Sequence, residues 1–388
     1  MSKVRAALLC GCGLICGLFA ISSQPTAEHP VAPTDDGQAD HAVLLSEVSM
    51  SQAWRLLQGV VSTFEQEQPD LEHVVLISVD GFNPQAVTTL GPAGAPAFHQ
   101  MMNEGASTLN ARTTVEQTRT LPNHSSMVSG RPVTTSRGHG VSFNSDNGST
   151  IHASAGRYVA SIFDVVHDNG GTTGMYVGKS KLEFLDRSWN ATNGAEDVTG
   201  HDDGRDKVDA YQVADSTATM ATLLDELASP SPTTLSFVHF ADPDNAGHAS
   251  GFMSPSYLNA VTVVDGYVGH VLEAITADPD LAGSTVVIVT SDHGGASGAV
   301  DHASPTVAAN YTVPFLAWGA GVAAGADLYS LNRDRADPGT RQPKYTAPVQ
   351  PIRTGEAANL IADLLGYGPV QGATFNTDQS LDLAPPVR

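Results

Sequence analysis

The chain contains 388 residues, of which 41% are hydrophobic and 15% are charged, enough apolar material for one large α/β domain. Its formal net charge of −22 disfavours a nucleic-acid polymer or an anionic membrane surface as a partner, because like charges repel. The same acidity suits a protein that binds divalent cations.

The N-terminal segment resembles an export signal. Lys3 and Arg5 precede an apolar stretch over residues 6–21, and small residues near its end suit cleavage. We therefore expect residues 1–23 to be a signal peptide and the protein to be periplasmic or secreted; lipid attachment at Cys16 is the alternative. The mature chain would then have no disulfide and no thiolate ligand, because all three cysteines lie in this segment: Cys10, Cys12 and Cys16.

Residues 24–70 are predicted to lead into the main domain. Residues 24–41 are polar, whereas Val43–Phe64 carries apolar residues at helical spacing. Residues 71–388 show no internal repeat and no linker, so we expect a single domain there. None of its stretches is long and apolar enough to span a membrane.

Strand and helix patterns alternate through this domain. The run His73–Val79 is β-branched with little polar alternation, which is typical of a parallel strand buried on both faces. The order predicts an α/β fold with a large, mainly parallel sheet sandwiched by helices, and residues 145–157 and 182–212 as small cap insertions. Further predicted strands are Thr173–Val177, Thr234–Phe240, Thr285–Thr290 and Val313–Trp318. Predicted helices are Pro96–Glu104, Tyr158–Asn169, Gln212–Leu227, Ser256–Thr276 and Gly355–Leu365.

The segment Thr118–His124 contains a candidate nucleophile. Pro122 suits the first position of a helix, which places Thr120 just ahead of the helix N-terminus. Unpaired N–H groups and the helix dipole favour an anion there, so the Thr120 hydroxyl could face a phosphate. The alternative is that Thr120 only caps the helix.

Acidic residues and histidines follow several of the predicted strands. Mixed aspartate and histidine ligands without cysteine suit zinc or another divalent ion in a catalytic site. Six such residues with one hydroxyl suffice for two ions, an arrangement that supports displacement at phosphorus. The candidate metal ligands are Asp80, Asp244, His248, Asp292, His293 and His302.

Four motifs in order, Val79–Phe82, Thr118–His124, Asp242–His248 and Ser291–Gly294, resemble the alkaline phosphatase superfamily. The resemblance is strongest to the nucleotide pyrophosphatase/phosphodiesterase branch and covers roughly residues 73–320. It implies an alkaline-phosphatase-like catalytic domain that uses a threonine nucleophile and two divalent metal ions, with zinc as the expected metal.

The resemblance also implies individual roles. Thr120 is the nucleophile, and its oxygen joins Asp80, Asp292 and His293 around one zinc ion. Asp244, His248 and a later histidine hold the second ion. Asn144 is implied to hydrogen-bond a phosphoryl oxygen, with the Leu121 N–H as a second donor.

Two features depart from that branch. His302 follows His293 much more closely than the last metal histidine of the branch does, yet no histidine lies beyond it. Lys179 and Lys181 resemble the basic pair that touches phosphoryl oxygens in phosphonoacetate hydrolases and some threonine-dependent phosphomonoesterases. The alternative for this pair is two exposed lysines after a strand.

The sequence therefore predicts an exported two-metal phosphoric ester hydrolase that forms a phosphothreonine intermediate on a small phosphate ester. Diesters or pyrophosphates are the first choice of substrate, and monoesters or phosphonates bound by the two lysines are the alternative. An exported metal-binding protein without catalysis is the non-enzymatic alternative. A sulfatase is excluded because threonine, not cysteine or serine, occupies position 120. Trp189 and Tyr211 either stack on a nucleobase or pack internally, and the sequence carries no signal for an oligomeric state.

Overall fold

A computed structural model of the chain describes residues 69–201 and 204–385. The predicted signal peptide, the three cysteines, the polar leader and the helix predicted over Val43–Phe64 lie outside the described residues. Within the described ranges, no helix is both long and apolar enough to cross a bilayer.

Eight strands of the described residues form one sheet in the order β4-β3-β5-β1-β6-β7-β2-β8. Strand β7 pairs antiparallel with both of its neighbours, and the remaining pairs are parallel. The predicted α/β class with a mainly parallel sheet is thus confirmed. The strands are β1 (His73–Val79), β2 (Ala106–Arg112), β3 (Thr173–Val177), β4 (Ala210–Val213), β5 (Leu235–Phe240), β6 (Thr285–Thr290), β7 (Thr312–Gly319) and β8 (Ala326–Asp327).

Helices cover both faces of this sheet, and short 3₁₀ turns lie at Ser180–Leu182 and Thr354–Glu356. The α-helices are α1 (Gln85–Gly94), α2 (Pro96–Glu104), α3 (Thr120–Ser129), α4 (Ile151–Ala155), α5 (Ile162–Asp168), α6 (Glu183–Trp189), α7 (Ser216–Leu227), α8 (Asp242–Ser250), α9 (Pro255–Ala277), α10 (Pro279–Ser284), α11 (Ala308–Tyr311), α12 (Leu328–Leu331) and α13 (Ala357–Leu364).

The core has two apolar layers, one on each face of the sheet. Successive side chains of a strand point to opposite faces, so Val74 and Leu76 of β1 join the layer with α3, α5 and α13. Val75 and Ile77 join the opposite layer with α2, α7 and α9. Full burial of each such side chain stabilises the fold by about 1.5–3 kcal/mol. Strand β1 is therefore fixed at the centre, and the residue after it is fixed with it.

Three strands, β1, β3 and β6, match their predicted bounds; β5 begins one residue later than predicted, and β7 extends one residue further at each end. The helix predicted from Tyr158 begins only at Ile162, because Ser161 and Asp164 form a capping box. The helix predicted from Gln212 begins at Ser216, because the residues before it form β4.

The segment predicted as a cap insertion over residues 182–212 belongs partly to the main body of the domain. It contributes α6 and the first residues of β4, an edge strand of the sheet. Trp189 is fully buried, and its Nε1–H donates to the Val159 carbonyl at 2.9 Å. Trp189 therefore packs internally and does not stack on a substrate, whereas Tyr211 lies half-buried on β4.

The N-terminus of α2 offers a direct test of the packing between helices. Asp265 of α9 is buried and accepts from the backbone N–H groups of Ala97 at 3.1 Å and Phe98 at 2.7 Å. We expect Asp265→Ala to lower the free energy of unfolding by about 2 kcal/mol, because two buried N–H groups lose their acceptor. Urea denaturation measures this loss. The exposed residue Glu273 on the same helix is the control, and Glu273→Ala should change stability by less than about 0.5 kcal/mol; equal effects would contradict the capping role.

Candidate metal centre

The six predicted ligands form two groups at the carboxyl edge of the sheet. Strands β5, β1 and β6 are neighbours, so the segments that follow them meet there. Within each group the potential ligand atoms all lie within 4.8 Å of one another. The groups are Asp80, Asp292 and His293, which we call the inner group, and Asp244, His248 and His302, which we call the outer group.

The two groups differ in access to solvent. All three side chains of the inner group are fully buried. In the outer group Asp244 and His302 are nearly buried, but the side chain of His248 is 46% exposed. The outer group therefore forms the solvent-facing side of the centre.

Several ligand atoms are buried and have no hydrogen-bond partner among the described residues. The His293 Nε2 atom lies 3.2 Å from Asp292 Oδ2, 3.3 Å from Asp80 Oδ1 and 3.8 Å from Asp244 Oδ1. Buried polar atoms are rarely left unsatisfied, so their convergence makes this cluster a candidate cation site. These atoms are Asp80 Oδ1, Asp244 Oδ1, Asp292 Oδ2 and His293 Nε2.

The three imidazoles are oriented by backbone carbonyls. The Nδ1 atom of His293 lies 2.9 Å from the Gly294 carbonyl, and that of His248 lies 2.7 Å from the Val300 carbonyl. In His302 it lies 2.7 Å from the Thr118 carbonyl. A carbonyl only accepts, so each Nδ1 carries a proton, and Nε2 is the ring atom that faces the centre and could bind a metal. The donor set of carboxylates and imidazoles fits divalent ions.

The charges of the centre are unbalanced without metal. Burial raises the pKa of Asp292 to about 7, and repulsion by Asp80 adds to the shift. On Asp80 burial acts in the same direction, but Lys179 and two histidines outweigh it and hold the pKa of Asp80 well below its usual value. Burial lowers the pKa of His293, but Asp292 and Asp80 outweigh it and raise that pKa to about 9. These shifts reflect an excess of negative charge, which divalent ions would offset.

Thr120 is buried at the first position of α3, where it is 1% exposed. The predicted helix start at Pro122 was two residues late, and the N-cap position belongs to Arg119, not to Thr120. Proline is tolerated throughout the first turn, because N–H groups there have no acceptor within the helix. The interpretation of Thr120 as a mere cap is therefore wrong.

His124 connects the start of α3 to β1 and to the inner group. Its Nδ1 lies 2.8 Å from the Thr120 carbonyl, so it donates there, and Nε2 accepts from the Ser78 hydroxyl at 2.8 Å. Burial lowers the pKa of His124 to about 3, so the ring is neutral. The same Nδ1 lies 3.7 Å from Asp292 Oδ2. His124 thus links the Thr120 backbone to Asp292 of the inner group, while Thr118 two residues earlier contacts His302 of the outer group.

Asn144 lies beside the start of α3, where its Oδ1 accepts from the Leu121 N–H at 2.9 Å. The sequence predicted that these two groups would both donate to a phosphoryl oxygen. In the structure the Leu121 N–H donates to Asn144 instead, so a ligand would have to displace that contact to use both donors. Asn144 thus contacts the residue that follows Thr120, as the sequence analysis expected of two groups at one site.

Lys179 lies inside the centre and not on the surface. Its ammonium is 2.7 Å from Asp80 Oδ2 and contacts Asp244 Oδ2, and its side chain is 14% exposed. Lys181 follows on the 3₁₀ turn and is half-buried. Burial and repulsion by Lys179 lower the pKa of Lys181. The alternative of two exposed lysines is therefore wrong for Lys179.

His239 is a residue of the centre that the sequence analysis missed. It is the next-to-last residue of β5 and is fully buried. Its Nε2 lies 2.9 Å from Asp80 Oδ2 and donates to it, while Nδ1 accepts from the Gly178 N–H at 3.2 Å. A histidine near the end of an otherwise apolar strand was the available signal. His239 orients Asp80 as outer hydrogen bonds orient metal ligands elsewhere.

We expect His239→Ala to weaken zinc binding at the inner group by about 10- to 100-fold, because Asp80 loses the donor that orients it. His239→Gln keeps a donor and should recover part of the affinity. Titration of metal-free protein against a chromophoric zinc chelator measures the dissociation constants. Ser236, also buried on β5, is the matched control, and Ser236→Ala should leave zinc binding unchanged. Equal weakening by both variants would contradict a positioning role for His239.

The chain shares its fold with solved structures. A murine ectonucleotide pyrophosphatase/phosphodiesterase 5, solved as an inactive threonine-to-alanine variant in complex with AMP, matches with a TM-score of 0.53 at 16% identity. The match covers 81% of this chain and 100% of that chain. A protein of the alkaline phosphatase superfamily from Vibrio parahaemolyticus matches with a TM-score of 0.51 at 13% identity, over 82% of this chain and 71% of that chain.

Sequence comparison leads to the same group. The chain is 26% identical over 240 residues to the human ectonucleotide pyrophosphatase/phosphodiesterase family member 5, which is 60% of this chain and 47% of that protein. The chain thus spans about half the length of the curated relative it matches. The family model of type I phosphodiesterases and nucleotide pyrophosphatases matches residues 74–311, more than half of the chain. This protein therefore belongs to the type I phosphodiesterase/nucleotide pyrophosphatase family.

Proposed function

We propose that this protein is an exported two-metal phosphoric ester hydrolase with Thr120 as its nucleophile. Its membership of a phosphodiesterase family supports hydrolysis of phosphate esters. The observation that carries the two-metal part is the pair of ligand groups, with orphaned buried atoms that converge on the space between them. Export rests on the N-terminal sequence pattern alone.

The inner group together with the Thr120 oxygen would hold one ion, and the outer group would hold the other. Zinc is the first choice, because aspartate and histidine donors without cysteine are typical of catalytic zinc sites. Bound divalent ions supply positive charge that lowers the pKa of a hydroxyl or water in contact with them and stabilises negative charge on the reacting phosphoryl group.

The Thr120 oxygen attacks phosphorus in line with the leaving group. A bond forms between that oxygen and phosphorus, the bond from phosphorus to the leaving oxygen breaks, the threonine proton passes to solvent, and the leaving alcohol takes up a proton. Water then attacks the phosphothreonine, releases the phosphoryl product and returns a proton to the Thr120 oxygen. Burial of Thr120 keeps bulk water away from the nucleophile before substrate binds.

The exposure of His248 supports the outer group as the side where the leaving alcohol departs and water enters. Asn144, beside the first turn of α3, would donate to a non-bridging phosphoryl oxygen. Such fixed donors account for much of phosphoryl-transfer catalysis, because the reaction asks mainly for positioning and charge stabilisation.

Phosphodiesters and nucleotide pyrophosphates are the proposed substrates. The murine relative that binds AMP makes nucleotide esters the first compounds to test. The location of Lys179 and Lys181 at the centre favours one alternative, a phosphate monoester or phosphonate whose second negative charge meets these lysines.

Metal content is the first prediction. We expect two zinc ions per chain by native mass spectrometry, and we expect EDTA to abolish hydrolysis of bis-p-nitrophenyl phosphate and added zinc to restore it. Asp244→Asn should weaken binding of the outer ion by about tenfold or more, because a charged ligand is lost.

Asp242 provides the matched control for that variant. It lies two residues earlier on α8, and its carboxylate contacts the Ser216 hydroxyl. Asp242→Asn makes the same charge change and should leave zinc affinity unaltered. Equal effects of the two substitutions, or a wild-type chain without bound metal, would contradict the two-metal proposal.

Substrate preference and the nucleophile can be tested together. We expect kcat/KM to be higher for bis-p-nitrophenyl phosphate than for p-nitrophenyl phosphate. Thr120→Ala should lower kcat/KM by about 10³-fold or more, because no other hydroxyl replaces the nucleophile. Thr88, exposed on α1, is the control, and Thr88→Ala should retain activity. Preference for the monoester would select the alternative substrate class, whereas full activity of Thr120→Ala would exclude Thr120 as nucleophile.

A further inference from the structure

The ammonium of Lys179 lies between the two ligand groups. It is 2.7 Å from Asp80 Oδ2 of the inner group and contacts Asp244 Oδ2 of the outer group. Both carboxylates use Oδ2 for this contact, and the Oδ1 atom of each is left without a hydrogen-bond partner among the described residues. One lysine therefore occupies a bridging position between carboxylates that are assigned to different metal ions.

The backbone beside Lys179 is held by hydrogen bonds to β5. The preceding N–H, that of Gly178, points to the carbonyl and to Nδ1 of His239, at 3.1 Å and 3.2 Å. A Cβ at Gly178 would lie 3.1 Å from the Cβ of Ala241, which shows how closely the end of β3 approaches the residue before α8. The four-carbon side chain can reorient while its anchor stays in place.

A carboxylate that binds both an ammonium and a metal must divide its oxygens between them. The ammonium supplies one positive charge to three buried carboxylates, whereas two divalent ions supply four. An ion that reaches Asp80 and Asp244 also repels the ammonium at short range in a site with little water. Metal and the Lys179 contacts are therefore expected to exclude each other.

We infer that Lys179 is an internal counter-ion that holds Asp80 and Asp244 together in the metal-free protein and is displaced from them when metal binds. The inference rests on the proposed two-metal function, and it makes Lys179 a competitor of the metal ions for the two carboxylates. Lys179 stabilises the metal-free fold and weakens the apparent affinity for metal, because its ion pairs are lost when a nearby divalent ion repels the ammonium.

Zinc affinity of variants tests this competition. On full-length protein stripped with chelator, Lys179→Met should bind zinc about tenfold more tightly than wild type in competition with a chromophoric chelator. The melting temperature of metal-free Lys179→Met should be lower than that of wild type by roughly 5 °C, because two buried carboxylates lose their partner. Unchanged or weaker zinc binding in Lys179→Met would overturn the inference.

Lys181 is the matched control, because Lys181→Met removes the same charge from the same segment. It is half-buried on the 3₁₀ turn next to Lys179. Lys181→Met should change zinc affinity by less than about threefold if contact, and not net charge, is decisive. Equal tightening by both substitutions would overturn the specific role of Lys179.

Chemical labelling keeps the inference testable if metal-free Lys179→Met does not fold. In wild-type protein, reductive methylation of Lys179 should be slow without metal and several-fold faster after zinc is added, relative to the exposed Lys344. Equal labelling in both states would overturn the inference. Wild-type protein that binds no zinc would instead contradict the proposed function itself, so the two failures are distinguishable.

Discussion

The charge of three buried carboxylates at one edge of the sheet is the constraint that the rest of the centre satisfies. Asp80, Asp244 and Asp292 follow β1, β5 and β6, which are parallel neighbours, so the fold forces them together. Like charges that meet away from water repel strongly unless cations offset them. The Lys179 ammonium and the protonated ring of His293, whose pKa is raised to about 9, offset part of this charge within the protein. The remaining negative charge explains why a divalent ion is the ligand that the centre fits.

The orientation of the histidines depends on one loop, residues 294–302, which backbone hydrogen bonds hold in place. Residues 294–302 supply two of the carbonyls that orient imidazoles, and His302 itself. This loop is tied to the junction of α8 and α9, because Phe252 exchanges backbone hydrogen bonds of 2.8 Å with Ala299 and Gly298. A Cβ at Gly295 would lie 2.2 Å from the Phe252 ring, so only glycine allows this approach. The position of His302 is thus set by packing against Phe252 on one side and by stacking on His293, with ring centroids 3.5 Å apart, on the other.

The sequence predicted β1, β5 and β6 because each is a mainly apolar run, and it predicted Asp80, Asp244 and Asp292 as candidate ligands because they follow these runs. Strand β2 was missed because its half-buried residues, such as Asn110, give it no apolar pattern. His239 was missed for the opposite reason, since its apolar neighbours conceal a polar contact that depends on how β5 is placed beside β1. The contact of Lys179 with two carboxylates also depends on strand order. Features that depend on one segment were predictable, whereas those that depend on pairing were not.

The unequal burial of the two ligand groups gives the proposed reaction a direction. A hydroxyl nucleophile is best kept from bulk water, and Thr120 is buried at the start of its helix, whose His124 lies 3.7 Å from Asp292 of the buried inner group. A leaving alcohol and an incoming water must exchange with solvent, and His248 is the ligand that solvent reaches. The segment Thr118–Thr120 is linked to both groups, because Thr118 contacts His302 directly and the Thr120 carbonyl contacts His124, which lies 3.7 Å from Asp292. In-line displacement would therefore run from the buried side of the centre to its open side. This direction follows from how deeply the fold buries each group, since both groups contain aspartate and histidine.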